Sequence, residues 1–296
     1  MNFYKKKLKE TLYQYITDIN SKINISFELF PPKNILLEDN LWSTVNKLST
    51  LKPNFFSVTY GANSGERYRT YDIVNAIKEH TGMIVVPHLT CVDTKKEELI
   101  KIAKTYWDNN IRHIIALRGD SVNKLNKSTI YAIDLIKILK NVANFDISVA
   151  AYPEVHPEAE SSQFDLINLK RKIEAGANRA ITQFFFDVEC YLRFRDRCYQ
   201  NGINVQIIPG ILPIISFPQL KNFSNMTNVH IPSWIYNIFS GLENDLNTTK
   251  MLGASIAINM VHQLYKEGVK DFHFYTLNKS DVVYAICCSL GRKSVS

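Results

Sequence analysis

Eight short runs rich in β-branched and aromatic residues recur along the chain, and segments with helical periodicity separate them. The runs are residues 23–30, 54–60, 83–90, 111–120, 146–154, 178–186, 204–212 and 271–277. Each is apolar on both alternating faces, as a strand covered on both sides must be. Strands that alternate with helices pair in parallel through right-handed crossovers. Eight such units predict an α/β fold, a closed (β/α)8 TIM barrel, as a single domain over residues 1–296.

The segments between the strands carry their own signals. Gly82 and Gly176 stand where helices should end in a left-handed turn. Residues 10–20 predict an extra N-terminal helix before the first strand, and the long interval 213–270 is expected to hold two helices. An open doubly wound sheet is the alternative, but the first β–α turn, SFELFPPKN, lacks the GxGxxG pattern.

Composition narrows the class of protein further. The chain is 46% apolar and 21% charged, which is typical of globular proteins. Its five cysteines are odd in number and form no CxxC pair, which fits a reducing cytoplasm rather than disulfides or zinc. No segment reaches the ~18 apolar residues of a membrane span, so we expect a cytoplasmic protein without a membrane partner. The net charge of +7 is spread over scattered lysines, so we expect no nucleic-acid partner.

Polar and ionisable residues fall at the ends of six predicted strands. They are Glu28, Thr59, Tyr60, His88, Arg118, Asp120, Tyr152 and Gln183. In barrels of this type, the carboxyl ends of the strands and the loops that follow them form the active site. We therefore expect these side chains to meet at one rim.

Each of these residues also has an ordinary structural explanation. Glu28 could be a carboxylate at a solvated lip or a general acid, and Arg118 could pair with Asp120 or serve a ligand. The basic run 170–172 could be a solvated helix face or reach the phosphates of a cofactor. No histidine has metal-ligand spacing, so no metal is expected. The residues alone indicate a barrel enzyme that binds an anionic, aromatic ligand.

Longer motifs carry a family resemblance. They are SFELFPPK, SVTYGANSGERYRT, PHLTC, RHIIALRGD, SVAAYPEVHPEA, NLKRKIEAGANRAITQFFFD, IIPGILPI and GVKDFHFYTLN. In content, order and spacing, the chain resembles the bacterial methylenetetrahydrofolate reductases over essentially its whole length. The alternatives are another flavin-dependent barrel, similar to proline dehydrogenase, and a basic, cofactor-free barrel that binds nucleic acid.

The resemblance implies a flavoprotein oxidoreductase that holds FAD noncovalently at the carboxyl ends of the strands. In this family's short form, NADH reduces the FAD and leaves, and 5,10-methylenetetrahydrofolate is then reduced to 5-methyltetrahydrofolate in a ping-pong sequence. The reaction belongs to one-carbon metabolism and to methionine (amino-acid) biosynthesis. The family also implies a homo-oligomer, a tetramer.

The resemblance also assigns residues. Glu28 matches the general acid that protonates the folate N10, and Asp120 matches a catalytic carboxylate beside the pterin and the flavin. Substrate-binding positions match Gln183, Gln219 and Phe223, of which Gln183 also matches an NADH contact. Lys279 replaces a family arginine at the folate tail and keeps the charge but not the planar fork. The cofactor positions match Thr59 (nicotinamide side), Tyr60, Ala62, His88, Arg118, Gly119, Asp120, Ala132, Tyr152, His156, Ala159, Asp165, Asn168, Arg171 and Lys172.

Overall fold

The computed structural model describes residues 23–32, 35–60, 64–119 and 130–292, in which eight strands alternate with helices. The predicted N-terminal helix lies outside these residues. The strands are β1 Asn24–Leu29, β2 Phe55–Val58, β3 Val85–Thr90, β4 His113–Leu117, β5 Asp146–Ala151, β6 Arg179–Phe184, β7 Gln206–Ile211 and β8 Asp271–Tyr275. The helices are α1 Ile35–Ser49, α2 Ser64–Thr81, α3 Lys96–Asp108, α4 Ala132–Val142, α5 Ser162–Glu174, α6 Val188–Gln200, α7 Phe217–Thr227, α8 Ser233–Phe239, α9 Leu246–Lys266 and α10 Ser280–Ser289.

The eight strands form a closed barrel in which every neighbouring pair is parallel. β8 pairs with β1, with Asp271 opposite Asn24, which closes the ring. The predicted (β/α)8 barrel is confirmed. Several strands end earlier than the sequence pattern suggested, so Thr59, Tyr60 and Arg118 lie directly after a strand rather than within it.

The barrel interior is filled by side chains from alternate positions of the strands. Phe55 on β2 contacts His113 on β4 and His273 on β8, with ring centroids 5.2 and 5.8 Å apart. Contacts between strands that are not neighbours are possible only across the interior of the barrel. Phe55 also packs with Val86, Ile115, Ile181 and Ile208 in a cluster of its own. This cluster forms a solid plug beneath the rim, as in other barrels of this class.

The interval between β7 and β8 holds three helices, so the expectation of two was wrong. α7 ends at Asn228, whose φ of 58° is in the left-handed region, and α8 follows Pro232 as a separate short helix. Asn in the left-handed conformation and Pro before a first turn both divide helices. Among the described helices, none has the length and apolar character needed to cross a bilayer.

Candidate active site

The carboxyl ends of the strands surround a cavity of about 460 Å³, which we call the central cavity. Every strand, or the segment directly after it, contributes to its lining. Of the residues expected at the strand ends, this cavity is lined by Glu28, Thr59, Tyr60, His88, Tyr152 and Gln183. Gly119 and Phe223, which the resemblance assigns, line it too, whereas Arg118 lines a second cavity instead. Phe223 comes from α7, which follows β7 and covers one side of the opening. The expected convergence of polar residues at one rim is therefore present.

Glu28 lies near the end of β1 and is only 8% exposed. Its Oε2 atom lies 3.5 Å from Nε2 of His88 and 3.9 Å from Nε2 of His273. In the part of the chain that the structure describes, these imidazoles are its only salt-bridge partners. Burial lowers the pKa of His88 to about 4, and this effect exceeds the opposing effect of the Glu28 charge. His88 is therefore neutral at pH 7 and supplies no full positive charge to the carboxyl group.

His88 itself is incompletely satisfied. Its Nε2 atom is buried and has no hydrogen-bond partner among the described residues. Buried polar atoms without a partner are rare in folded proteins, and those that exist need a reason such as a bound group. His88 lines the central cavity, where a ligand could supply the missing partner.

Gln183 on β6 presents hydrogen-bond donors to the same cavity. The backbone N–H of Phe184 donates to Oε1 of Gln183 at 3.0 Å, which identifies that atom as the oxygen. The amide NH2 group of Gln183 is consequently the end that can donate to a ligand. The cavity thus combines the Glu28 carboxyl group with an amide donor and the Phe223 ring.

Two further residues of the rim were missed at the sequence level. His273 and Tyr275 on β8 line the central cavity, and the Tyr275 hydroxyl donates to the Thr182 carbonyl oxygen at 2.7 Å. Burial raises the pKa of Tyr275 well above its ordinary value, and the nearby Glu28 charge adds to this. Both residues belong to the predicted strand 271–277, and because they are two positions apart they share one face of β8, the one that lines the cavity. That alternation was the available signal.

A second cavity of about 620 Å³, the side cavity, lies between the ends of β4 and β5 and helices α4 and α5. Nine residues with an expected cofactor role line it: Arg118, Gly119, Ala132, Tyr152, His156, Ala159, Asp165, Asn168 and Lys172. It shares Leu117, Gly119, Ala150 and Tyr152 with the central cavity. The two cavities are therefore adjacent, and one elongated ligand could occupy both.

Charged side chains in the side cavity are held in defined positions. Lys172 donates from Nζ to the Ala150 carbonyl oxygen at 3.1 Å, and burial lowers the pKa of this lysine. Arg118 pairs with Glu158 through both guanidinium nitrogens, one at 2.9 Å, and this hydrogen bonding lowers the pKa of Glu158. Asp165 accepts from the His156 backbone N–H at 2.9 Å, which fixes the loop after β5 against α5. Two cations thus lie on one wall of the cavity.

Helical phase decides which residues of the basic run reach the cavity. Asp165, Asn168 and Lys172 are spaced by three and four residues, so they share one face of α5 and line the side cavity. Arg171 lies one residue off that face; it is exposed and outside both linings. Its cofactor role stays a prediction.

Other expected residues are not brought to the cavities. Gln219 is half-buried in the first turn of α7, and Lys279 is exposed at the start of α10. Neither lines the central cavity or the side cavity. Ala62 and Asp120 lie outside the described residues.

The two cavities fit a dinucleotide such as FAD. Gly119, at their junction, has a φ of +85°, and a Cβ atom there would come within 2.8 Å of the side chains of Thr90 and Val92. Glycine is therefore required at this position both by its backbone conformation and by the packing of Thr90 and Val92. Arg118 and Lys172 in the side cavity suit a pyrophosphate, and His88, with its buried Nε2, lines the central cavity.

The fold and the site together define a (β/α)8-barrel enzyme with a buried carboxyl group beside an elongated, partly cationic cavity. The family model for methylenetetrahydrofolate reductase matches residues 12–291. A curated 5,10-methylenetetrahydrofolate reductase of Pectobacterium carotovorum is 59% identical over 291 residues, which is 98% of each chain. The chain belongs to the methylenetetrahydrofolate reductase family.

More distant relatives extend the comparison. A rice protein named "Probable methylenetetrahydrofolate reductase (NADH)" is 31% identical over 283 residues, covering 90% of this chain and 48% of its own. A Clostridium thermocellum structure, described as binding two copies of 5-methyl-5,6,7,8-tetrahydrofolic acid, matches with a TM-score of 0.64. The match covers 95% of this chain and 98% of that one, at 16% sequence identity. At that identity the likeness supports the barrel fold alone.

Proposed function

We propose that this chain catalyses the FAD-dependent reduction of 5,10-methylenetetrahydrofolate to 5-methyltetrahydrofolate, with NADH as the electron donor. The observation that carries the proposal is the buried Glu28 carboxyl group in a cavity continuous with a cationic one. Membership of the family supplies the reaction, and the name of the rice relative supports NADH as the donor. The product would enter one-carbon metabolism and methionine biosynthesis.

The side cavity would hold the cofactor. Arg118 and Lys172 would bind the pyrophosphate of FAD, and the cofactor would extend into the central cavity along Gly119 and Tyr152, which line both cavities. Bound FAD would supply the hydride chemistry, accepting a hydride from NADH and donating it to the folate. Arg118 would exchange its Glu158 partner for the phosphate oxygens, so no buried charge would lose its counterion.

Glu28 would hold and deliver a proton. Protonation of N10 of the folate weakens its bond to the bridging methylene carbon, the five-membered ring opens, and an iminium cation is left to accept the hydride. A general acid must carry its proton before the reaction, which is easier where no fixed cation stabilises the carboxylate. The neutral state of His88 meets that requirement.

The remaining residues of the central cavity would position the substrates. The Gln183 amide would donate to the pterin or to the carboxamide of NADH, Phe223 would stack on either ring, and Thr59 would contact the nicotinamide. Shared use of one cavity by two substrates gives a ping-pong sequence. The catalytic role of Asp120, the folate-tail role of Lys279 and the homotetramer remain predictions from the resemblance.

The test is the visible absorption spectrum of the purified protein under anaerobic conditions. We expect yellow protein that bleaches with NADH and regains its colour when methylenetetrahydrofolate is added. Proline offered in place of both substrates should change nothing. Protein that remains colourless after incubation with FAD, or that bleaches with NADH but is never reoxidised by the folate, would refute the proposal.

A further inference from the structure

A buried serine–histidine pair lies directly behind Glu28. Ser26 and His273 are 3% and 1% exposed, and Oγ of Ser26 lies 2.8 Å from Nδ1 of His273. The other ring nitrogen, Nε2, faces Oε2 of Glu28 at 3.9 Å and Oγ of Ser57 at 3.5 Å. Ser26 and Glu28 are two residues apart on β1, so both point into the barrel and meet the same imidazole on β8.

One tautomer of His273 satisfies both contacts of the Ser26 hydroxyl. When the hydroxyl donates its one proton to the Phe272 carbonyl oxygen, 3.3 Å away, it accepts from Nδ1 at 2.8 Å. In this tautomer Nδ1 carries the proton and the lone pair of the neutral ring is on Nε2. The Ser57 hydroxyl can donate to that lone pair, which agrees with the assignment.

We propose that Ser26 and His273 are positioning residues for Glu28, which keep its carboxyl group in the protonated form required of an acid. This inference rests on the proposed function. With Nε2 of His273 as an acceptor behind it, the protonated carboxyl group can donate to this ring, whereas the carboxylate cannot. The 3.9 Å separation is longer than a hydrogen bond, and such contacts commonly shorten when substrate binds.

In this proposal Ser26 determines which ring nitrogen of His273 carries the proton. Without its hydroxyl, His273 loses the acceptor for Nδ1–H, and the proton can move to Nε2. An N–H group would then face Glu28 and stabilise the carboxylate, which is the wrong form for a general acid. In this proposal the Ser26 hydroxyl, which does not line the central cavity, acts on the Glu28 carboxyl group through the tautomer of His273.

The groups that face His273 come from every neighbouring element. They are Glu28 on β1, Ser57 and Phe55 on β2, His88 on β3, His113 on β4 and Tyr275 on β8. Burial lowers the pKa of His88 and of His113 to about 4 and raises that of Tyr275, so all three are neutral near pH 7. Glu28 is the one carboxyl group among them, so a difference in pH profile between a variant and wild type reports on the Glu28–His273 pair.

The barrel contains its own control for this idea. Ser148 and His113 form a second buried pair, with Oγ 2.7 Å from Nε2, on β5 and β4. His113 contacts Phe55, and the carboxylate nearest to it in the described structure is that of Asp146, which lines neither cavity. Ser148→Ala therefore removes the same hydroxyl, from the same kind of pair, without a catalytic carboxyl group beside it.

The experiment measures the two half-reactions of the FAD-loaded protein separately, across pH, in wild type, Ser26→Ala and Ser148→Ala. For Ser26→Ala we expect folate-dependent reoxidation to slow about tenfold at pH 7, with its falling limb about one pH unit lower. Reduction by NADH should stay within about twofold of wild type, because a hydride donor needs no proton from Glu28. Ser148→Ala should leave both half-reactions and the pH profile unchanged.

Two outcomes would overturn the inference. One is a wild-type pH profile in Ser26→Ala, and the other is equal slowing in both serine variants without a shift in profile, which would indicate packing alone. If Ser26→Ala fails to bind FAD, His273→Gln is measured in its place and must show the same selective loss. The wild-type protein is measured before any variant. If methylenetetrahydrofolate does not reoxidise it, the proposed function is refuted rather than this inference.

Discussion

The amino-terminal ends of the strands, which we call the floor, and their carboxyl ends, the rim, contain similar residues in different arrangements. At the floor, Asp146 accepts from Arg179 at 2.8 Å, and Nε2 of His113 lies 2.7 Å from Ser148 and 3.0 Å from Arg179. At the rim, Glu28 has two imidazoles at 3.5 and 3.9 Å and no cation among its described salt-bridge partners. Both regions combine a carboxyl group with histidine, and only the floor also brings an arginine to the carboxylate.

The presence or absence of an arginine partner distinguishes a carboxyl group that serves the fold from one that can serve a ligand site. Asp146, whose side chain is 37% exposed, has its charge balanced by Arg179, so it contributes to the fold and needs no ligand. The rim leaves Nε2 of His88 without a hydrogen-bond partner in the described structure and opens onto a cavity. Incomplete satisfaction beside a cavity is what a site looks like before its ligand binds.

The largest effect we predict comes from exchanging one carboxyl oxygen at each end. Glu28→Gln should slow folate-dependent reoxidation by about 10²–10⁴-fold, because the amide cannot donate a proton to N10. FAD content and reduction by NADH should be retained. Asp146→Asn, its counterpart at the floor, should keep both half-reactions and lower the midpoint of thermal unfolding, since Arg179 loses its partner.

Anaerobic stopped-flow spectroscopy measures both half-reactions, and calorimetry measures the unfolding midpoint. The comparison fails if Asp146→Asn loses the folate half-reaction as severely as Glu28→Gln does. Undiminished folate reduction in Glu28→Gln would show that another group supplies the proton.

The second effect concerns the side cavity and contrasts two lysines on α5. Lys172→Met should weaken FAD binding about 10- to 100-fold, the effect of losing one charge-assisted hydrogen bond to a phosphate. Lys170→Met, on the exposed side of the same helix, should leave the affinity unchanged. The dissociation constant is measured from flavin fluorescence during titration of the apoprotein. Equal affinities in the two variants would remove Lys172 from the cofactor site.

Much of this arrangement could be predicted from the sequence because strand patterns are local. The residues that end β1 to β6 were all expected at one rim, since parallel strands present their carboxyl ends together. His273 and Tyr275 were missed, because the aromatic run around them also fits a strand packed on both faces. Only the closed barrel shows that the alternate face of β8 looks onto Glu28.

The sequence also could not predict the phase of the helices or the distances between side chains. The basic run 170–172 indicated a phosphate contact, but which of its members faces the cavity depends on where α5 begins, at Ser162 after the capping Ser161. The three helices between β7 and β8 were counted as two, because the short α8 has too few residues for a clear period. The separation of Glu28 from His273 depends on the closure of the barrel through β8, which no local pattern encodes.

The smallest effect we predict is a pH dependence of stability that both ends share. His88 and His113 have pKa values lowered to about 4 by burial, whereas the unfolded chain binds their protons near pH 6.5. The folded state therefore holds fewer protons than the unfolded state between these two values. The stability that the neutral histidines contribute is complete above about pH 6.5, declines as the pH falls and is lost near pH 4.

The unfolding midpoint, followed by differential scanning fluorimetry from pH 8 to pH 4, should be level above neutrality and then fall. His113→Gln should be less stable at pH 8 and flatter between pH 6.5 and pH 4, because glutamine takes up no proton on unfolding. Added FAD should raise the midpoint at every pH, because a ligand that binds only the folded state stabilises it, and should leave the decline caused by the two histidines in place. If the unfolding midpoint of His113→Gln varied with pH in parallel with that of wild type, burial would not be holding His113 neutral. The floor would then differ from the rim only in the arginine partner, Arg179.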